Sequence, residues 1–231
     1  MSASRWLGAA IAWRRRWFGS GWNPVVEGYR PYADEACNLL YNQSFCDKPA
    51  AFRRTASAES TESSVVLAEQ PDVEALRALA NDPQAASRVR ALAFGRLRTL
   101  GQAVPPRLLL GTVVELGLPG GLDVLAAYPD GCVWYLNHKE LIAQFDPVPS
   151  GWMPAVRRLL AASQGAVERI GPWLQPRIAP PTEGTVRMSF VVSDGLYFGQ
   201  GPMAVMERDE MAKPIIAASI ALLQSVNAAK H

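Results

Sequence analysis

Histidine is almost missing from this chain of 231 residues: there are two, and one of them is His231, the last residue. His138 is left as the single internal imidazole. That excludes His-rich metal sites and leaves nucleophilic catalysis, which needs a base beside a Ser or Cys, with one candidate base. His138 falls in a polar turn with no nucleophile or orienting partner that the sequence can name, so a solvated turn histidine is the simpler reading. GxSxG, HExxH, GxxxxGK[ST] and GxGxxG are all absent. Cysteine is scarce too: Cys37, Cys46 and Cys132 are odd in number and form no CxxC pair. A disulfide framework or zinc knuckle is not expected, and reduced, buried thiols in a cytosolic protein are. A Cys37–Cys46 bond is the minor alternative. No metal and no cofactor are expected.

Long apolar runs are missing as well. The longest uncharged stretch near the C-terminus, 214–229, has 16 residues and includes Gln224, Ser225 and Asn227, whereas a membrane span needs about 20 apolar residues. Near the start, the eight-residue run Trp6 to Trp13 precedes Arg14, Arg15 and Arg16. A secretion signal puts its charge before the apolar run, so export is not expected. Excess charge is lacking: 23 Lys+Arg oppose 21 Asp+Glu, for a net +2, which gives no overall pull toward nucleic acid. The chain is nonetheless 49% hydrophobic and 19% charged, enough to build a core.

What is present divides the chain into five segments. Residues 1–22 hold four of the seven Trp, four Arg and no acid. At helical spacing Trp6, Ala10, Trp13 and Trp17 form one stripe flanked by Leu7, Ile11 and Phe18, although Arg14 interrupts the apolar arc. Residues 23–54 contain a helix over 31–45, where Ala33, Ala36, Cys37, Leu40 and Tyr41 recur on one face. Residues 55–66 read as a linker, because the run TASAESTESS has six Ser/Thr and no large apolar side chain. A helical hairpin follows over 67–106, with helices at 71–81 and 84–100 about the turn Asn81-Asp82-Pro83. Six acids against one Arg in 59–82 face five Arg and no acid in 84–107, so charge pairing between the two helices is expected.

From residue 107 onward the period changes. Four short runs, 108–116, 122–128, 132–137 and 140–145, are separated by turn residues too few for anything but antiparallel neighbours, hence a meander. A helix over 153–169, a hairpin of 185–192 with 196–201, and a last helix over 214–227 complete an α+β unit whose two helices should cover one sheet face. This unit, with the helical hairpin, is expected to fold without residues 1–54. The hairpin sequence Ser193-Asp194-Gly195 suggests a three-residue loop with Gly last, as a G1 bulge prefers. That register pairs Val191 with Tyr197 and puts Tyr197 on the face of Arg187. A loop of Asp194-Gly195 alone would instead put Gln200 on that face.

Two sets of residues carry functional readings. The first is Trp6, Trp13, Arg14, Arg15, Arg16, Trp17 and Phe18. Their apolar stripe needs a cover: the chain's own domain, a second copy, a protein partner or a lipid surface. The second is Arg187 with Tyr197 or Gln200. Arg187 sits in the apolar strand TVRMSFVV, where a charge either faces water or is buried with a partner. Turn aspartates and the Gly199-Gln200-Gly201 run are read as turn chemistry. Taken together, the residues favour a non-enzymatic cytosolic protein acting by association, through its N-terminal segment and its α+β domain. The alternatives are an enzyme or small-ligand sensor with a pocket at Arg187, Tyr197 and Gln200, and a peripheral membrane protein held by residues 1–22. A protein partner is expected, and nucleic acid is not.

Overall fold

The computed structural model describes residues 28–53 and 61–228. Its frame is one six-stranded antiparallel sheet in the order β4-β3-β2-β1-β5-β6: β1 is Leu109–Leu118, β2 Gly121–Ala127, β3 Val133–Leu136, β4 Ile142–Phe145, β5 Thr185–Val192 and β6 Gly195–Pro202. The four-strand meander thus forms as its spacing predicts. β5 then returns beside β1 rather than extending the meander, because the helix α5 (Met153–Val167) carries the chain back across the sheet. With helices before the strands and another at the end, the fold is α+β.

Seven α-helices accompany the sheet among the described residues. Four precede it: α1 (Glu35–Gln43), α2 (Thr61–Leu67), α3 (Val73–Asn81) and α4 (Ser87–Thr99). Asp34 caps α1 by accepting hydrogen bonds from the Ala36 and Cys37 amides at 2.7 and 3.1 Å. Asp72 caps α3 in the same way, through the Glu74 amide. α2 occupies Thr61–Leu67, so the second half of the stretch expected as linker is helical, with Val66 buried. After β6 come the short α6 (Met203–Met206) and the long α7 (Ala212–Ala228).

Strand alternation gives the sheet two different faces. One carries Val114, Leu125, Val133, Met188, Phe190 and Tyr197 against Val156 and Leu159 of α5 and Ile215, Leu222 and Val226 of α7. As expected, the two C-terminal helices share this face. The other carries Val113, Val124, Trp134 and Val191, and it is covered by the N-terminal helices through Leu40, Tyr41, Leu76, Leu92 and Phe94. The helical half and the sheet therefore share one buried cluster. The three cysteines are buried free thiols.

The expected charge pairing between α3 and α4 takes another form. Arg77 pairs with Glu74 within α3, while Arg88 of α4 reaches Asp146 beyond β4 at 2.9 Å and lies 4.3 Å over the Trp134 ring. Arg90 donates to the Ala80 carbonyl and Arg96 to that of Ala68. The arginines of α4 are used to close helix ends and clamp the sheet, because carbonyls left unpaired at a helix terminus need donors.

Candidate functional site

Inside TVVELG of β1, alternation sends Val113 and Glu115 to the face under the N-terminal helices. Glu115 stands directly opposite Arg187 of β5. Both are almost sealed from solvent, at 0% and 2% exposure. Their closest approach is 3.6 Å, Arg187 Nη1 to Glu115 Oε2. Tyr41 of α1 donates its hydroxyl to Glu115 Oε1 at 2.8 Å. Arg187 gives Nε to Gln200 Oε1 at 2.7 Å, Nη1 to the Ile178 carbonyl at 3.2 Å and Nη2 to the Ala179 carbonyl. Burial pushes the Glu115 carboxyl above its usual range, and Arg187, Tyr41 and Arg177 pull against that rise. Burial also raises the Tyr41 hydroxyl, with the Glu115 charge acting in the same direction.

Those two carbonyls belong to a strap, 171–184, that crosses the edge of β6 and runs over this face. Arg177 plugs the strap into α1. Its guanidinium lies 4.0 Å over Phe45 and 5.3 Å over Tyr41, with Nε on Asp47 Oδ2 at 2.9 Å and Nη2 on Asn42 Oδ1 at 2.7 Å. Tyr29 donates its hydroxyl to the Arg177 carbonyl at 2.7 Å. The strap is thereby pinned at two arginines, one bound through its backbone carbonyls and the other contributed by the strap itself. Between the strap and the segments flanking α1 opens a cleft of ≈ 600 Å³ lined by Tyr29, Asp47, Lys48, Gln175, Pro176 and Arg177. The strap residues just before that lining are also exposed: Trp173, 38% exposed, stacks edge-on against Phe198 at 5.0 Å, and Leu174 is 85% exposed.

A second cluster sits at the far end of β2 and β3. Asp123 Oδ1 is 2.8 Å from His138 Nδ1 and accepts the His138 amide at the same distance, while Oδ2 accepts the Tyr135 hydroxyl at 2.6 Å. The imidazole is about one-third exposed and is tied to its own turn by the carboxylate. Such a carboxylate orients a histidine with Nε2 free, and it equally fastens the β3–β4 turn. Among the described residues no group of three or more His, Cys, Asp or Glu could hold a metal ion. None of the described helices is long and apolar enough to cross a membrane.

Of the residues singled out by sequence, Arg187 and Gln200 are brought together, directly paired across β5 and β6. Tyr197 is not with them. It lies on the opposite face, 1% exposed, and donates to Asp194 Oδ2 at 2.9 Å. Neither expected hairpin register is present: the loop is Ser193-Asp194, and Gly195 pairs with Val192 at the start of β6. Partners outside the hairpin hold Ser193 in that register. Its hydroxyl donates to the Pro105 carbonyl at 2.5 Å and accepts the Leu108 amide at 3.1 Å. Trp6, Trp13, Arg14, Arg15, Arg16, Trp17 and Phe18 lie outside the described residues. Sequence reasoning passed over Glu115, although an acid inside an apolar strand is a readable signal. Arg177 had no such signal, since it lies in an aperiodic Pro-rich loop.

No protein-family model, no curated protein and no solved structure matches this chain.

Proposed function

We propose that this protein works by association, docking another polypeptide on the strap and the cleft beside it. The observation that carries the reading is a pair of exposed apolar side chains on a strap that is held in place. Trp173 and Leu174 are exposed and directly precede Gln175, which lines the ≈ 600 Å³ cleft, and the strap bearing them is fixed by Arg177 and Arg187, whose side chains are buried. Exposed aromatic and aliphatic side chains on a preorganised backbone bind at low entropic cost. The segment with Trp6, Trp13, Arg14, Arg15, Arg16, Trp17 and Phe18 is a second adhesive element in this reading. The test is a photo-crosslinking residue placed at Gln175 in the native host. A discrete covalent product with one protein is expected, reduced severalfold by Leu174→Asp. No product at Gln175, or equal products from Gln175 and Lys139, which is exposed in the β3–β4 turn at the opposite edge of the sheet, removes the reading.

One observation favours a second reading, an enzyme. Asp123 fixes His138 through Nδ1 at 2.8 Å, which suits Nε2 to accept a proton from water or substrate. Turnover that His138→Gln abolishes without changing thermal stability would support it; unchanged turnover would end it.

A further inference from the structure

The edge of the sheet beside the strap has its own chemistry. The Trp173 amide donates to the Leu196 carbonyl at 2.7 Å, so the main-chain groups of Leu196 point away from β5. In an antiparallel strand the direction alternates by residue. Phe198 and Gln200 therefore point their N–H and C=O outward as well, and neither group has a partner among the described residues. Pro202, which has no N–H, closes this edge.

Side-chain space flanks the same stretch on both sheet faces. On the α5–α7 side, Gly199 leaves an apolar pocket of ≈ 60 Å³ bounded by Ile170, Met188, Phe190, Met206 and Ile215. A single water needs about 10–15 Å³, so this volume takes one aliphatic side chain. Asp209 also borders it, with its Oδ1 committed to the Met211 and Ala212 amides. On the other face stands the Trp173–Phe198 aromatic pair. The adjoining turn carries exposed Glu207 and Glu210 against one exposed Arg208.

We infer that the Phe198–Gln200 edge accepts an extended segment of another protein as a seventh strand. The segment carries an aliphatic residue facing Gly199 and a Lys or Arg toward Glu207 and Glu210. Strand addition draws its affinity from main-chain hydrogen bonds and its selectivity from pockets for alternate side chains, and this edge offers both. A second copy fits less well: on the pocket side β6 carries Gly199, Gly201 and Tyr197, and Tyr197 is 1% exposed in its own core, so no β6 side chain on that side is free to fill the pocket. The inference rests on the association reading above and names the partner's conformation and chemistry.

The probe is the peptide acetyl-Lys-Leu-Thr-Leu-Thr-Leu-Lys-amide, titrated to millimolar concentration and followed by amide NMR on the full chain. Shifts and at least tenfold slower exchange are expected at the Phe198 and Gln200 amides. N-methylation of one alternate set of peptide amides should abolish both effects. Gly199→Leu should weaken binding at least tenfold with the melting temperature unchanged. Gly199→Ala is the milder variant, because its methyl would sit 4.0 Å from Met206 Cε, and a severalfold loss is expected. Leu174→Asp should leave peptide binding intact, which separates this edge from the cleft. No perturbation at these two amides, or equal binding by both N-methylated peptides, overturns the inference. So does a dimer of the peptide-free protein that Gly199→Leu dissociates, since a second copy would then hold the edge.

Discussion

The two faces of the sheet are built on different terms. Under α5 and α7 the buried surface is almost wholly apolar: Val114, Leu125, Met188 and Phe190 meet Val156, Leu159, Ile215 and Leu222. Under the N-terminal helices the apolar cluster surrounds ionisable and hydrogen-bonding groups, namely Glu115, Arg187, Tyr41 and, through the strap, Arg177. An apolar face is non-directional and tolerates adjustment, whereas a buried charge demands named partners at defined distances. The polar face is thus where the fold fixes the position of a surface element, the strap. Buried ion pairs contribute little net stability but are costly to break one partner at a time. That cost separates the faces by experiment.

Deleting α1 should have the largest effect. A chain starting at residue 66 loses Leu39, Leu40, Tyr41 and Phe45, all buried, each contributing about 1.5–3 kcal/mol. That is comparable to the whole stability of a typical domain, about 5–15 kcal/mol. It also uncovers Glu115. The fragment should be molten or aggregated by circular dichroism and gel filtration; a cooperative melt would mean the sheet needs only α5 and α7. This outcome runs against the sequence-based expectation for the same fragment, because the shared cluster makes the first helix part of the core.

Single substitutions follow. Arg187→Met strands Glu115 in the interior, at about 3–5 kcal/mol. On the apolar face Leu159→Ala should cost about 2–5 kcal/mol through its cavity. Only Arg187→Met should also free the strap, making it sensitive to limited proteolysis near residues 171–184. If Leu159→Ala exposes the strap equally, the division between faces fails.

Tyr41→Phe removes one hydrogen bond and leaves a buried carboxylate oxygen short of a donor, at about 1–3 kcal/mol. The pH dependence is subtler. Burial raises the Glu115 carboxyl above its ordinary value. The folded state therefore holds a proton that the unfolded chain gives up near about pH 4.3. Stability from this group is complete below that pH and is lost as pH rises through the raised folded value, the reverse of a salt-bridged carboxylate with a lowered one. Glu115→Gln should flatten that part of the stability curve in denaturant titrations, and Leu159→Ala should leave its slope unchanged.

Much of the fold was legible because period and turn chemistry are local. Leu122, Val124 and Ala126 alternate as a half-buried strand must, Pro129-Asp130-Gly131 can only reverse the chain tightly, and Asp72 starts a helix. Less of the candidate site was legible. Arg187 stood out as a charge among apolar neighbours, but its partners Glu115, Ile178 and Ala179 lie 72, 9 and 8 residues away, beyond any local pattern. Tyr197 lies on the face opposite the one its loop residues imply, because contacts outside the hairpin hold Ser193 and the register with it.

The amino-acid sequence by itself determined the element order, the antiparallel meander and the apolar stripes, since each depends on residues a few positions apart. The tertiary structure alone decided three things. It made β5 return beside β1, so that Glu115 faces Arg187. It let Pro105 and Leu108 capture Ser193, so that a two-residue loop won over a G1 bulge. And it buried the second face of the sheet under the N-terminal helices. Each is a contact between distant segments. Its energy comes from burying apolar surface and pairing buried polar groups, which no stretch of chain can do alone.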